Sequence, residues 1–117
     1  MAYKFETLRV WQDAMELGEE LNDIAIKYPK HEMFNLTSQT MRAVDSIALN
    51  VSEGSIGQSN PENRKFVGYA IRSNCEVITC LYKAKNRKYI TEEKFTELYN
   101  KTELLFKRLN AYRNTMD

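Results

Sequence analysis

Four groups of side chains in this sequence have types and spacings that bear on chemistry. The first is a run of cations, Lys83, Lys85, Arg87 and Lys88, with Tyr82 and Tyr89 interleaved. Clustered ammonium and guanidinium groups neutralise phosphates, and tyrosines between them can stack bases. The run is therefore a candidate nucleic-acid contact, although cations near a helix C-terminus also favour the helix dipole without any ligand. The second group is Arg42, Ser46 and Glu53 with Arg72 and Glu76. Helical spacing puts Arg42, Ser46, Leu49 and Glu53 on one stripe and Arg72 and Glu76 one turn apart on another. Facing helices would pair Arg42 with Glu76 or Arg72 with Glu53. Such a polar network would fix helix register or join subunits, since partly buried charges need partners; a site for a charged ligand and simple solvated charges are the alternatives.

The third group is His31 in the turn Pro29-Lys30-His31-Glu32, and the fourth is the pair Cys75 and Cys80. With a single histidine no Glu-x-x-His exists, so the di-iron bundle pattern fails, and no ligands are grouped for zinc. His31 reads as a solvated loop residue. A five-residue step turns about 140° around a helix, so the two cysteines point apart and do not bridge easily. They read as reduced thiols packed as small apolar groups in a cytoplasmic protein. Neither Gly-x-x-x-x-Gly-Lys nor Gly-x-Gly-x-x-Gly occurs, which argues against a nucleotide cradle. The expectation is no catalytic residue, no metal and no cofactor.

These residues must be positioned by helices. The chain has 117 residues, enough for one domain, with only four glycines and two prolines. Few breakers favour long helices over short strands. A first helix is predicted at 8–27, with Thr7 as N-cap and Pro29 beyond its end. Val10, Ala14, Leu17, Leu21, Ile24 and Tyr28 step by fours and threes, a heptad seam. A second helix is predicted at 35–54, with Gly54 as its C′ residue because glycine enters the left-handed region cheaply. Residues 54–60 read as the most flexible connection. A third is predicted at 61–86, capped by Asn60 ahead of Pro61 or by Ser59 in a capping box with Glu62. A fourth is predicted at 92–113 behind Thr91. Short links and seam-like spacing predict an all-α, up-down-up-down antiparallel four-helix bundle with left-handed twist, in one domain.

The apolar arc of the third helix is wider than one chain's core requires, since a surface helix needs an arc only a little over ~100°. Either its own neighbours cover it, or Val67, Ile71, Cys75, Ile78 and Tyr82 form an oligomer interface; the second reading is preferred. Net charge is +1, so no global field draws in nucleic acid or a membrane. The charge is unevenly spread. Residues 7–28 hold five acids against two bases, and residues 61–90 hold seven bases against two acids. No signal-peptide-like stretch or membrane-length apolar run occurs, so no membrane association is expected.

Several segments together resemble the 23S rRNA intervening sequence proteins (S23 family), small helical proteins of which some are encoded within insertions in bacterial large-subunit ribosomal RNA genes. The opening Phe5-Glu6-Thr7-Leu8-Arg9-Val10-Trp11-Gln12-Asp13-Ala14 is similar to the family's, as are Tyr28-Pro29, Glu32-Met33-Phe34-Asn35-Leu36 and Gln39. Arg42-Ala43, Ser46-Ile47 and Asn50-Val51-Ser52-Glu53-Gly54 look like its signature, and Arg64-Lys65-Phe66, Ala70, Ser73, Glu76 and Leu81 like its third helix. Asp45, Ala48, Arg72 and Ile78 depart from the pattern: they stand where an apolar residue, a proline, a glycine and a second glutamate are usual. The resemblance implies a left-handed bundle assembled as a homo-oligomer, a ring of five, with no enzymatic activity. A related group serves retroelements by binding nucleic acid and reverse transcriptase. The expected function is thus a non-enzymatic scaffold binding RNA or a nucleic-acid-associated protein, with a protein adaptor lacking RNA binding as the alternative.

Overall fold

The three-four spacing of apolar residues and the scarcity of breakers produce helix almost throughout. A computed structural model of the chain describes residues 2–57 and 59–116. Its helices are α1 (Arg9–Ala25), α2 (Leu36–Ser55), α3 (Asn60–Asn86) and α4 (Glu92–Asn114), with 3-10 turns at Lys4–Thr7 and Lys30–Glu32. No strand occurs among the described residues. Gln58, part of the connection predicted at 54–60, lies outside them.

Two caps follow the sequence reading. Ser59 accepts from the Glu62 amide at the start of α3, so serine rather than Asn60 is the cap. Thr91 accepts from the Lys94 amide at the start of α4. Two others differ. Thr7 turns back to the Lys4 carbonyl, and Leu8 takes the N-cap position of α1. Gly54 is not a helix terminator: α2 continues to Ser55, and no glycine has positive φ. Gly54 is needed for close approach instead. A Cβ there would meet Asn63 Oδ1 at 2.6 Å and Phe66 Cβ at 2.9 Å. The missing side chain lets the end of α2 lie against the first turns of α3.

The predicted seams form the core. Val10, Ala14, Leu17 and Leu21 of α1, Val44, Ile47 and Val51 of α2, Val67, Val77 and Leu81 of α3, and Leu98, Leu105 and Leu109 of α4 are buried together. Fully burying one such Leu or Ile is worth roughly 1.5–3 kcal/mol. A second cluster, Ala25, Tyr28, Leu36, Cys80 and Ala84, fills the end beside the α1–α2 turn. Each helix touches two others: α1 meets α2 and α4, and α3 meets α2 and α4. The groove between α1 and α2 therefore lies opposite that between α3 and α4. Polar pairs set the seams. Asn22 donates to Asp45 (2.9 Å), and buried Asn74 donates to the Thr102 carbonyl (3.1 Å). The α1–α4 seam is instead clasped by ion pairs, Arg108–Asp13 at 2.6 Å and Lys101–Glu20 at 2.9 Å. The body measures 43 × 23 × 23 Å.

Candidate nucleic-acid interface

The turn between α1 and α2 is organised by one carboxylate. Glu32 lies in a 3-10 turn four residues before α2 and is buried. Its Oε1 accepts from the Asn35 side chain (3.0 Å) and the Leu36 amide (3.3 Å), so it supplies a helix N-terminus with negative charge. Its Oε2 accepts from the Tyr89 hydroxyl (2.6 Å) and Arg87 Nη1 (2.9 Å). The Tyr89 hydrogen bond, with smaller help from the Leu36 amide, Arg87 and Asn35, outweighs burial and holds this carboxyl below the usual glutamate range. The same bond raises the Tyr89 hydroxyl above the usual tyrosine range.

Glu32 thereby ties the α1–α2 turn to the α3–α4 turn, where the predicted cationic run lies. The four cations have separate fates. Arg87 is the ion-pair partner of Glu32 and is spent on structure. Lys85 lies over the rings of Phe95 (4.3 Å) and Tyr82 (5.2 Å), a cation–π arrangement. Lys83 and Lys88 are exposed and form no ion pair among the described residues. Lys88 has φ 64°, the one non-glycine in the left-handed region among the described residues. It follows the last turn of α3, where the Tyr89 amide donates to the Ala84 carbonyl and the Lys88 amide to that of Lys85. This is the Schellman arrangement with lysine where glycine is usual. The interleaved tyrosines are also engaged: Tyr89 packs at a tilt against Tyr28 (5.2 Å), and Tyr82 packs edge-on against Phe95 (4.9 Å).

The sequence reading missed what the α1–α2 turn adds at this end. Lys27, Lys30 and His31 are exposed, and the His31 ring lies 3.3 Å from the Tyr89 hydroxyl. Beside them Phe34 is 96% exposed. An aromatic in a polar turn, off the heptad seam, was the available signal for Phe34. For Glu32 it was a carboxylate one turn ahead of a helix start. Glu92 and Glu93 begin α4 at the same end and limit the cationic surface on that side.

The second predicted group is not a network within the chain. Arg42, Glu53, Arg72 and Glu76 are all exposed and form no ion pair among the described residues. Ser46 makes a hydrogen bond across helices, donating to the Ser73 hydroxyl between α2 and α3. The predicted pairs fail because exposed side chains of this length keep their hydration, and a surface pair is worth little.

The proposed interface strip divides. Val67 is wholly enclosed in the chain's own core, which corrects its assignment to an oligomer surface. Ile71 and Ile78 are half-buried, while Cys75 and Tyr82 are exposed. Cys75, Ile78, Tyr99 and Phe106 line a groove of about 250 Å³ between α3 and α4. Cys80 is buried, and burial pushes its thiol up. Among the described residues no three His, Cys, Asp or Glu side chains are grouped to hold a metal ion. Among the described residues no helix is long and apolar enough to cross a membrane.

Fold and site together define an all-α protein with four α-helices among the described residues and a group of exposed cations, Lys27, Lys30, Lys83 and Lys88, at one end. The chain belongs to the 23S rRNA-intervening sequence protein family, whose model matches residues 6–111. No curated protein matches the chain significantly.

Proposed function

We propose that the protein is a non-enzymatic, self-associating helical bundle that binds single-stranded or loop RNA, alone or within a ribonucleoprotein, in the cytoplasm. In this reading the four helices run up-down-up-down with left-handed twist, and copies close into a ring, as the family resemblance implies. The observation that carries the RNA reading is the bare ring of Phe34 at the end of the bundle bearing Lys27, Lys30, Lys83 and Lys88. An exposed aromatic stacks a base for roughly 1–3 kcal/mol, and the ammonium groups track phosphates. Several copies of this end in one ring would raise avidity.

Titration of labelled single-stranded RNA at several salt concentrations tests the reading. Phe34→Ala should weaken binding by about 5- to 150-fold, the equivalent of losing one stacked base. Lys83→Glu with Lys30→Glu should weaken it and flatten its salt dependence. Arg87 is a poor probe, because its loss disturbs Glu32 first. Binding unchanged in both variants would clear this end of a role. The placement of Glu92 and Glu93 beside the cations favours a second reading, an adaptor for a protein of mixed charge. Failure of all RNAs would leave that reading standing.

A further inference from the structure

The sole histidine of the chain, His31, stands three residues before Phe34. It lies in the turn that the Glu32 carboxylate ties to the α3–α4 turn. Its Nε2 is 3.3 Å from the Tyr89 hydroxyl and 3.8 Å from Glu32 Oε2. The hydroxyl has one proton, and that proton goes to Glu32 at 2.6 Å. Tyr89 Oη can therefore only accept from the ring, and this network assigns the hydrogen to Nε2. A second proton then enters at Nδ1, on a side chain that is 73% exposed.

The surrounding charges decide what that proton does. Lys30 and Glu32 share the turn with His31, and Tyr89 and Arg87 face it from the α3–α4 side through Glu32. Lys27, Lys83 and Lys88 stand exposed at the same end, and Glu92 and Glu93 begin α4 there. Glu32 and Arg87 cancel one another as an ion pair at 2.9 Å. The clasp is thus neutral while His31 is neutral and carries one positive charge once His31 is protonated. Histidine is the one side-chain type that ordinarily changes charge between about pH 5 and 8. We propose that His31 is a proton-gated RNA contact: charged, it holds a phosphate of the strand stacked on Phe34, and neutral, it does not. The inference rests on the RNA reading above and adds the regulation of that site. Anchoring Nε2 on Tyr89 lowers the ordering cost of a contact made through Nδ1. Glu32 Oε2 already accepts from Tyr89 and Arg87, so the new charge is left for the phosphate.

Titration of the full chain with labelled oligouridine tests this, because uracil takes no proton in the histidine range and stacking tolerates every base. From about pH 8 down to about pH 5.5 the wild type should bind more tightly. The slope of log affinity against log salt should steepen by about 0.7, the value of one phosphate on a single strand. Calorimetry in two buffers of different ionisation heat should show proton uptake on binding, since the coupling is reciprocal. His31→Gln keeps a hydrogen-bond donor without the charge; its binding should stay at the weak alkaline level at both pH values, with no uptake. His31→Lys keeps the charge and should bind at the tight level at both. Circular dichroism and the thermal midpoint check that each variant is folded. Wild-type affinity that ignores pH, or a pH dependence that survives in His31→Gln, overturns the proposal while the RNA reading stands. No binding at either pH overturns both.

Discussion

The two ends of the bundle are both fastened by a charged side chain reaching a helix terminus, yet they leave different surfaces. At the far end Arg64 donates to the Arg113 carbonyl at 2.8 Å, near the last turn of α4, and Met116 is buried. The absence of a side chain at Gly54 lets α2 and α3 close together there. At the turn end the fastening is Glu32 with Arg87 and Tyr89, and around it Lys27, Lys30, Lys83, Lys88 and Phe34 stay in water. The difference teaches that a cationic cluster in sequence is not a cationic site. Half of the predicted run is consumed in holding the turns together, and the free charge comes partly from Lys27 and Lys30 in the other turn, far earlier in the sequence.

The largest expected effect on stability breaks the far end. Gly54→Ala would raise helix propensity by about 1 kcal/mol in an exposed helix. Here the new Cβ must displace Phe66 and Asn63, so a net loss of about 1–3 kcal/mol is expected in denaturant unfolding. At the turn end the sign reverses. The Tyr28 hydroxyl is buried without a hydrogen-bond partner among the described residues, so Tyr28→Phe should stabilise by about 1 kcal/mol. Lys88→Gly relieves a left-handed lysine and should stabilise by about 0.5–1 kcal/mol. It also removes a free cation, so RNA affinity should fall while the thermal midpoint rises. A Lys88→Gly protein that gains stability and keeps full affinity would exclude this lysine from the contact.

The turn end should also set the pH limits of stability. Glu32 is held below its usual range chiefly by the Tyr89 hydroxyl. Its contribution is present above the ordinary glutamate pKa and is lost as pH falls through the lower folded value. In Glu32→Gln that part of the acid limb should disappear. Burial pushes Tyr28 up to about 12, so its contribution is present below the ordinary tyrosine value and is lost as pH rises through the folded one. Tyr28→Phe should flatten the alkaline limb.

Much of the fold was legible in the sequence because heptad steps and caps are local signals. Val10 through Leu21 and Thr91 behave as their spacing and type suggest. Gly54 was misread because its reason lies in Asn63 and Phe66, which only packing brings near. Val67 was misplaced because a wide apolar arc does not say which part the same chain covers. The cationic run was half legible: residue type marked the region, but the Glu32 partner that removes Arg87 from it comes from the opposite turn. Phe34 carried no periodic signal and was visible only as an aromatic among turn residues.

Photo-crosslinking of bound single-stranded RNA, with the attachment sites read by mass spectrometry, tests the central claim most directly. Crosslinks at Phe34 and in the segments 27–34 and 83–89 are the predicted result. Crosslinks confined to the α1–α2 groove or the α3–α4 face, or none from an RNA that binds, would contradict the assignment of this end as the nucleic-acid surface.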